Sequence, residues 1–112
     1  MNRLYKAFLY SLQGILATFK REAAFRQEVV LSFILVPIAL FLDISPVERV
    51  LLISSLFIIF IIEILNSAVE AAIDRISQKK HELSKIAKDA GSAAVFMSIL
   101  NAIVVWAVIL IS

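Results

Sequence analysis

The sequence predicts an all-α membrane protein, an amphipathic helix lying in the membrane interface followed by three transmembrane helices, on three observations. Apolar residues make up 62% of the 112 and the mean hydropathy is +0.97, against roughly 45–50% apolar in a water-soluble domain. Long apolar runs recur three times. Basic residues gather on one side of those runs. The length suits a single domain over residues 1–112. Absence of cysteine excludes disulfides, thiolate nucleophiles and Cys-based metal sites. The two glycines, Gly14 and Gly91, cannot build a phosphate-cradling glycine loop. A net charge of +2 is too small to imply a nucleic-acid partner.

Each element follows from local pattern. Leu4, Phe8, Leu12, Ile15, Leu16 and Phe19 recur at helical spacing, with Arg3, Lys6 and Lys20 off that stripe. This predicts an interfacial helix over about 3–24, either anchoring to anionic lipid or contributing to a site. The run VVLSFILVPIALFL between Glu28 and Asp43 predicts a span over about 27–43. It is short between its charges, as a buried core helix would be. Pro37 deletes one backbone donor there and is expected to kink the helix. VLLISSLFIIFII, from Val50 to the edge of Glu63, predicts a span over about 47–71, and the charge-free stretch Ala90 to Ser112 one over about 90–111. Ten of the eleven Lys and Arg lie before the first span or between the second and third, leaving only Arg49 opposite. The excess of positive charge on the cytoplasmic side therefore puts the N-terminus inside and the C-terminus outside. No secretory signal peptide is expected, because the first long apolar run starts late.

Candidate chemistry lies on the second span. Glu63, Asn66, Ser67, Glu70 and Asp74 fall at i, i+3, i+4, i+7 and i+11, which sets the three carboxylates within about 20° of one direction on a helix. An ionised carboxylate in hydrocarbon is costly unless paired, protonated or metal-bound, so such a stripe marks function. A polar inter-helix network locking an oligomer is the bland alternative. At the same membrane level, Glu22 and Arg26 are four apart, as on one helix face, and Glu28 follows; Lys88 and Asp89 precede Gly91 and Ser92. His81 is a lone loop histidine and reads as a surface residue. Carboxylates, a lysine and a place for Mg²⁺ together fit phosphoryl transfer to a lipid hydroxyl. Glu63 lies deepest, where loss of water suits it to accept a proton. Glu70, two turns nearer the cytoplasm, is the better metal ligand.

The segments EAAFRQE (22–28), RVLLISS (49–55), EILNSAVEAAIDRI (63–76), HELS (81–84) and AKDAGSAAV (87–95) closely resemble the bacterial diacylglycerol kinase family. That resemblance implies ATP- and Mg²⁺-dependent phosphorylation of diacylglycerol to phosphatidate in the inner membrane, by a homotrimeric helical bundle with composite sites between subunits. It implies Glu63 as catalytic base supported by Asn66, and Glu22 with Glu70 as the metal-binding pair that also meets nucleotide. It further implies Lys88 and Asp89, with Lys79, Lys80 and His81, at the nucleotide. Arg3 and Tyr10 correspond to positions near nucleotide and lipid, and Arg26, Gln27 and Ser92 to the lipid side. The loop SQKKHELSKIAKD is more basic than the family pattern. Relatives that phosphorylate undecaprenol carry similar catalytic residues, and a proton-coupled transporter or a purely structural bundle is the rival from another class.

Overall fold

A computed structural model describes residues 2–76 and 81–112. Four helices account for nearly all of them: α1 (Asn2–Arg21), α2 (Ala23–Phe41), α3 (Pro46–Ile76) and α4 (Glu82–Ile111). The last three are each long and apolar enough to cross a membrane. They extend beyond the sequence-derived limits where those limits followed hydropathy alone: α3 continues from 71 to Ile76 and α4 starts at Glu82 rather than 90. Polar residues end an apolar run without ending a helix, since Glu, Lys, Ala and Ile all propagate one.

The chain stops and restarts at two breaks, each closed by an arginine from the following helix. Glu22 adopts an extended backbone (φ −112°, ψ 111°) and separates α1 from α2, so the expected first helix ends at Arg21 instead of 24. Arg26, one turn into α2, reaches back and donates through Nη1 to the carbonyls of Phe19 (2.7 Å) and Lys20 (3.0 Å). Glu22 and Arg26 thus do not share a helix face, because Glu22 stands outside the helix. At the second break Arg49 donates through Nη1 to the carbonyls of Ala39 (2.6 Å), Leu40 (2.8 Å) and Leu42 (3.2 Å), and through Nη2 to Ile44 (3.2 Å). The last carbonyls of a helix lack intrahelical donors and carry the negative end of its dipole, so a guanidinium there satisfies both needs.

The start of α3 is equally determined. Pro46 takes the first helical position, where its missing N–H costs nothing. Ser45 Oγ accepts from Glu48 N (3.2 Å) while Glu48 Oε1 accepts from Ser45 N (3.0 Å), a reciprocal capping box. Pro37 lies inside α2, which continues through it.

Helix α3 is the hub. It packs against each of the other three helices, whereas α4 packs only on α3. Its buried face is Leu52, Ser55, Leu56, Ile59, Glu63 and Ser67, a three-and-four spacing. Near the Arg49 end, Trp106 Nε1 of α4 donates to Leu52 O and Ser55 Oγ, both at 3.2 Å. Edge-on aromatic contacts tie α1, α2 and α3 together: Phe19 to Phe25 at 6.5 Å and Phe25 to Phe60 at 5.7 Å between ring centroids. Hydroxyls in the apolar stretches fold back onto their own helices, Ser54 onto Val50 O (2.6 Å) and Ser98 onto Val95 O (2.7 Å). The stripe of α1 is left uncovered, Leu4, Phe8, Leu12, Ile15, Leu16 and Phe19 all being exposed.

Replacing Arg49 with Met takes a donor from four carbonyls, of which Leu42 O keeps Ile44 N at 3.1 Å. Charge-assisted hydrogen bonds contribute about 1.5–3 kcal/mol each and share one group here, so a loss of about 2–3 kcal/mol is expected. Unfolding of Arg49→Met and wild type in the same detergent measures it; an unchanged midpoint contradicts the capping role.

Candidate active site

The polar stripe of α3 faces inward and collects at the end of the bundle where α1 meets α2 and where α4 begins. Glu63 and Ser67 are buried, at 4% and 5% exposure, and Asn66, Glu70 and Asp74 are half-buried. The break at Glu22 brings a second set of carboxylates against them. Glu22 makes no capping bond of its own, and its carboxyl stands within hydrogen-bonding reach of Glu70. One and a half turns into α2, the half-buried Glu28 stands within the same reach of Glu63. The carboxylates therefore gather as an outer pair, Glu22 with Glu70, and an inner pair, Glu28 with Glu63, with Glu22 also close enough for its charge to act on Glu63.

Two carboxylates in contact repel unless a proton or a cation lies between them. The outer pair is half exposed and lies near two positive charges, Arg21 and Lys88. That suits a hard divalent cation, which takes one or two carboxylates and completes its shell with water and phosphate oxygens. Two carboxylates alone would leave the rest of a cation's shell to water and phosphate oxygens; among the described residues no three His, Cys, Asp or Glu side chains converge to enclose a metal. The inner pair is shielded from water and suits proton exchange. Glu28 Oε1 and Asn66 Oδ1 are buried acceptors without a hydrogen-bond partner among the described residues. Both await a donor.

Asn66 meets α4 at Gly91. A Cβ there would overlap the Asn66 carboxamide and lie 3.1 Å from its Cγ, so only glycine lets α4 pass without displacing that side chain. Three residues earlier, Lys88 Nζ donates to Asp74 Oδ1 at 2.9 Å. Its neighbour Asp89 turns along α4 instead and accepts from Lys85 Nζ at 2.6 Å. His81 is the N-cap of α4 and its Nδ1 accepts from Leu83 N at 3.1 Å; it stabilises a helix start beyond its expected surface position.

The remaining expected residues divide by location. Arg26 is engaged with the carbonyls of α1 and also lines a shallow surface groove with Gln27, Val30, Leu31 and Ile34. Ser92 is exposed on α4. Arg3 and Tyr10 lie together in a separate shallow groove with Asn2, Lys6 and Ala7 near the start of α1. Lys79 and Lys80 lie outside the described residues. Sequence reasoning placed Glu28 and Asp74 near the site without giving them a partner, and passed over Arg21. Their spacing signals a face, and only the break at Glu22 decides which groups meet there.

Residues 9–110 match the prokaryotic diacylglycerol kinase family. A diacylglycerol kinase of Pseudomonas aeruginosa is 50% identical over 111 residues, covering 99% of this chain and 90% of the relative. One of Escherichia coli K12 is 51% identical over 109 residues, covering 97% and 89%. A more distant one, of Helicobacter pylori, is 35% identical over 105 residues, covering 94% and 82%. With agreement of that extent along all four helices, this chain belongs to the prokaryotic diacylglycerol kinase family.

Proposed function

We propose that this chain is a lipid kinase of the bacterial inner membrane that transfers the γ-phosphoryl group of ATP to the primary hydroxyl of diacylglycerol, giving phosphatidate and ADP. The observation that carries the reading is the pairing of carboxylates at one end of the bundle, a buried Glu63 with Glu28 and a more exposed Glu22 with Glu70, with Lys88 alongside. Relatives about half identical in sequence bear the name diacylglycerol kinase.

In this mechanism Glu63 accepts the proton of the lipid hydroxyl as its oxygen attacks the γ-phosphorus in line with the departing ADP. Asn66, one turn along the same face, steadies that end of the site. Glu22 and Glu70 would hold Mg²⁺, which when bound neutralises phosphate charge. Lys88 offsets the negative charge that spreads over the transferring group, and Asp89, His81, Lys79 and Lys80 border the nucleotide. Arg26, Gln27 and Ser92 line the lipid side. The groove at Arg3 and Tyr10 lies on a helix whose uncovered apolar stripe rests in the cytoplasmic interface, so that the N-terminus is cytoplasmic and the C-terminus periplasmic.

The chain works as one domain and as a homotrimer. A single copy leaves α4 covered by α3 alone, and polar groups at membrane depth need protein or water on every side. Neighbouring copies supply it.

The test offers diacylglycerol and undecaprenol side by side to purified protein in mixed micelles with MgATP, following labelled lipid. Phosphatidate is the expected product; preference for undecaprenol would reassign the acceptor, and phosphorylation of neither by folded protein would refute the kinase. Glu63→Gln should lower turnover by about 100-fold or more, and retained turnover with an unchanged pH profile would remove it as base. Glu70→Gln should raise the Mg²⁺ concentration needed for half-maximal rate, and an unaltered Mg²⁺ requirement contradicts the metal assignment. Gly91→Ala displaces the far end of a side chain and should cost stability less than about 1 kcal/mol, while turnover falls severalfold. Wild-type turnover in Gly91→Ala would separate Asn66 from the chemistry.

A further inference from the structure

Asp74 closes the acidic stripe, yet it belongs to neither carboxylate pair. It faces two cations from different helices: Lys88 Nζ of α4 at 2.9 Å from Oδ1, and Arg21 Nη2 of α1 at 3.9 Å from Oδ2. Among the described residues helices α1 and α4 do not pack on one another, and Asp74 lies between their charged ends. The same two cations lie close enough to Glu70 for their charges to act on it.

Neither cation is used up by Asp74. Both side chains remain partly open to water, at 45% exposure for Arg21 and 44% for Lys88. A guanidinium has five N–H donors in a rigid fork and an ammonium three, and the fork matches phosphate oxygens two at a time. An exposed ion pair contributes little to stability. What it does here is keep two cations near one carboxylate, beside the Glu22 and Glu70 pair.

We propose that Arg21 is a nucleotide-binding residue of this chain, which Asp74 positions together with Lys88 to grip the phosphate chain of ATP. This rests on the kinase reading above and adds a second cation to it. Arg21 supplies the planar, bidentate contact and Lys88 the point charge. Asp74 is a positioning residue that acts through both.

Polyphosphate oxyanions and a phospholipid headgroup share this chemistry, and the measurements separate them. Arg21→Gln and Arg21→Lys are assayed with MgATP varied at saturating lipid and then with lipid varied at saturating MgATP. The Gln variant should raise the KM for MgATP about threefold to tenfold while the lipid KM stays put, and the Lys variant should recover part of the loss. Asp74→Asn should shift the MgATP KM in the same direction, and its combination with Arg21→Gln should be less than multiplicative, because the two act on one contact. A readout without turnover accompanies these: inorganic tripolyphosphate should raise the thermal midpoint of the full-length wild type more than that of Arg21→Gln. That comparison stands even if the acceptor lipid, or the kinase reading itself, proves wrong. An unchanged MgATP KM and an undiminished tripolyphosphate effect in Arg21→Gln would overturn the proposal and leave Arg21 as a basic residue at a helix end. A rise confined to the lipid KM would overturn it in favour of a headgroup contact.

Discussion

Burial of polar groups along α3 is the constraint on which the rest of the structure depends. A carboxylate in a low-dielectric setting must find a proton, a cation or another polar group. Glu63 is nearly inaccessible and finds Glu28, while Glu70 finds Glu22 with Arg21 and Lys88 nearby. Glu28 belongs to α2, Arg21 to α1 and Lys88 to α4, and Glu22 stands at the break between α1 and α2. At this end the other helices meet α3 around these polar groups, and at the other the Trp106 bond to Leu52 and Ser55 ties α4 to α3.

That arrangement requires the backbone to stop at particular places. A helix continuing through residue 22 would set Glu22 and Arg26 on one face, four residues apart. The extended backbone at Glu22 prevents this, and Arg26 satisfies the carbonyls that the break exposes. Arg49 does the same at the opposite end of α2. The lone basic residue on that side of the chain is thus a helix cap. Its charge offsets the negative, C-terminal end of the α2 dipole.

Close approach of α4 to the stripe depends on a missing atom. Gly91 lets the backbone pass the Asn66 carboxamide, and three residues earlier Lys88 reaches Asp74. Small residues at such crossings allow close packing where no hydrophobic force drives helices together in lipid. The KD dipeptide then separates its two charges, Lys88 toward α3 and Asp89 along α4 to Lys85. Adjacent residues on a helix point about 100° apart, which makes that division unavoidable.

The three apolar runs and the i, i+3, i+4, i+7, i+11 spacing from Glu63 to Asp74 by themselves determined the all-helical class, the number of candidate spans and the face that carries the carboxylates. Those are periodic, local properties, readable because hydropathy and helix geometry act over a turn or two. The capping box at Ser45 and Glu48 came from the structure, although its residues are equally local. Only the tertiary structure decided that Glu22 stands outside a helix, that Arg26 and Arg49 face backwards onto carbonyls, that Glu28 meets Glu63, and that Arg21 and Lys88 share Asp74. Each joins residues on separate helices, or across a break, through a backbone path that no spacing rule encodes, and an arginine four residues from a glutamate looks the same whether it pairs with that glutamate or caps the helix before it.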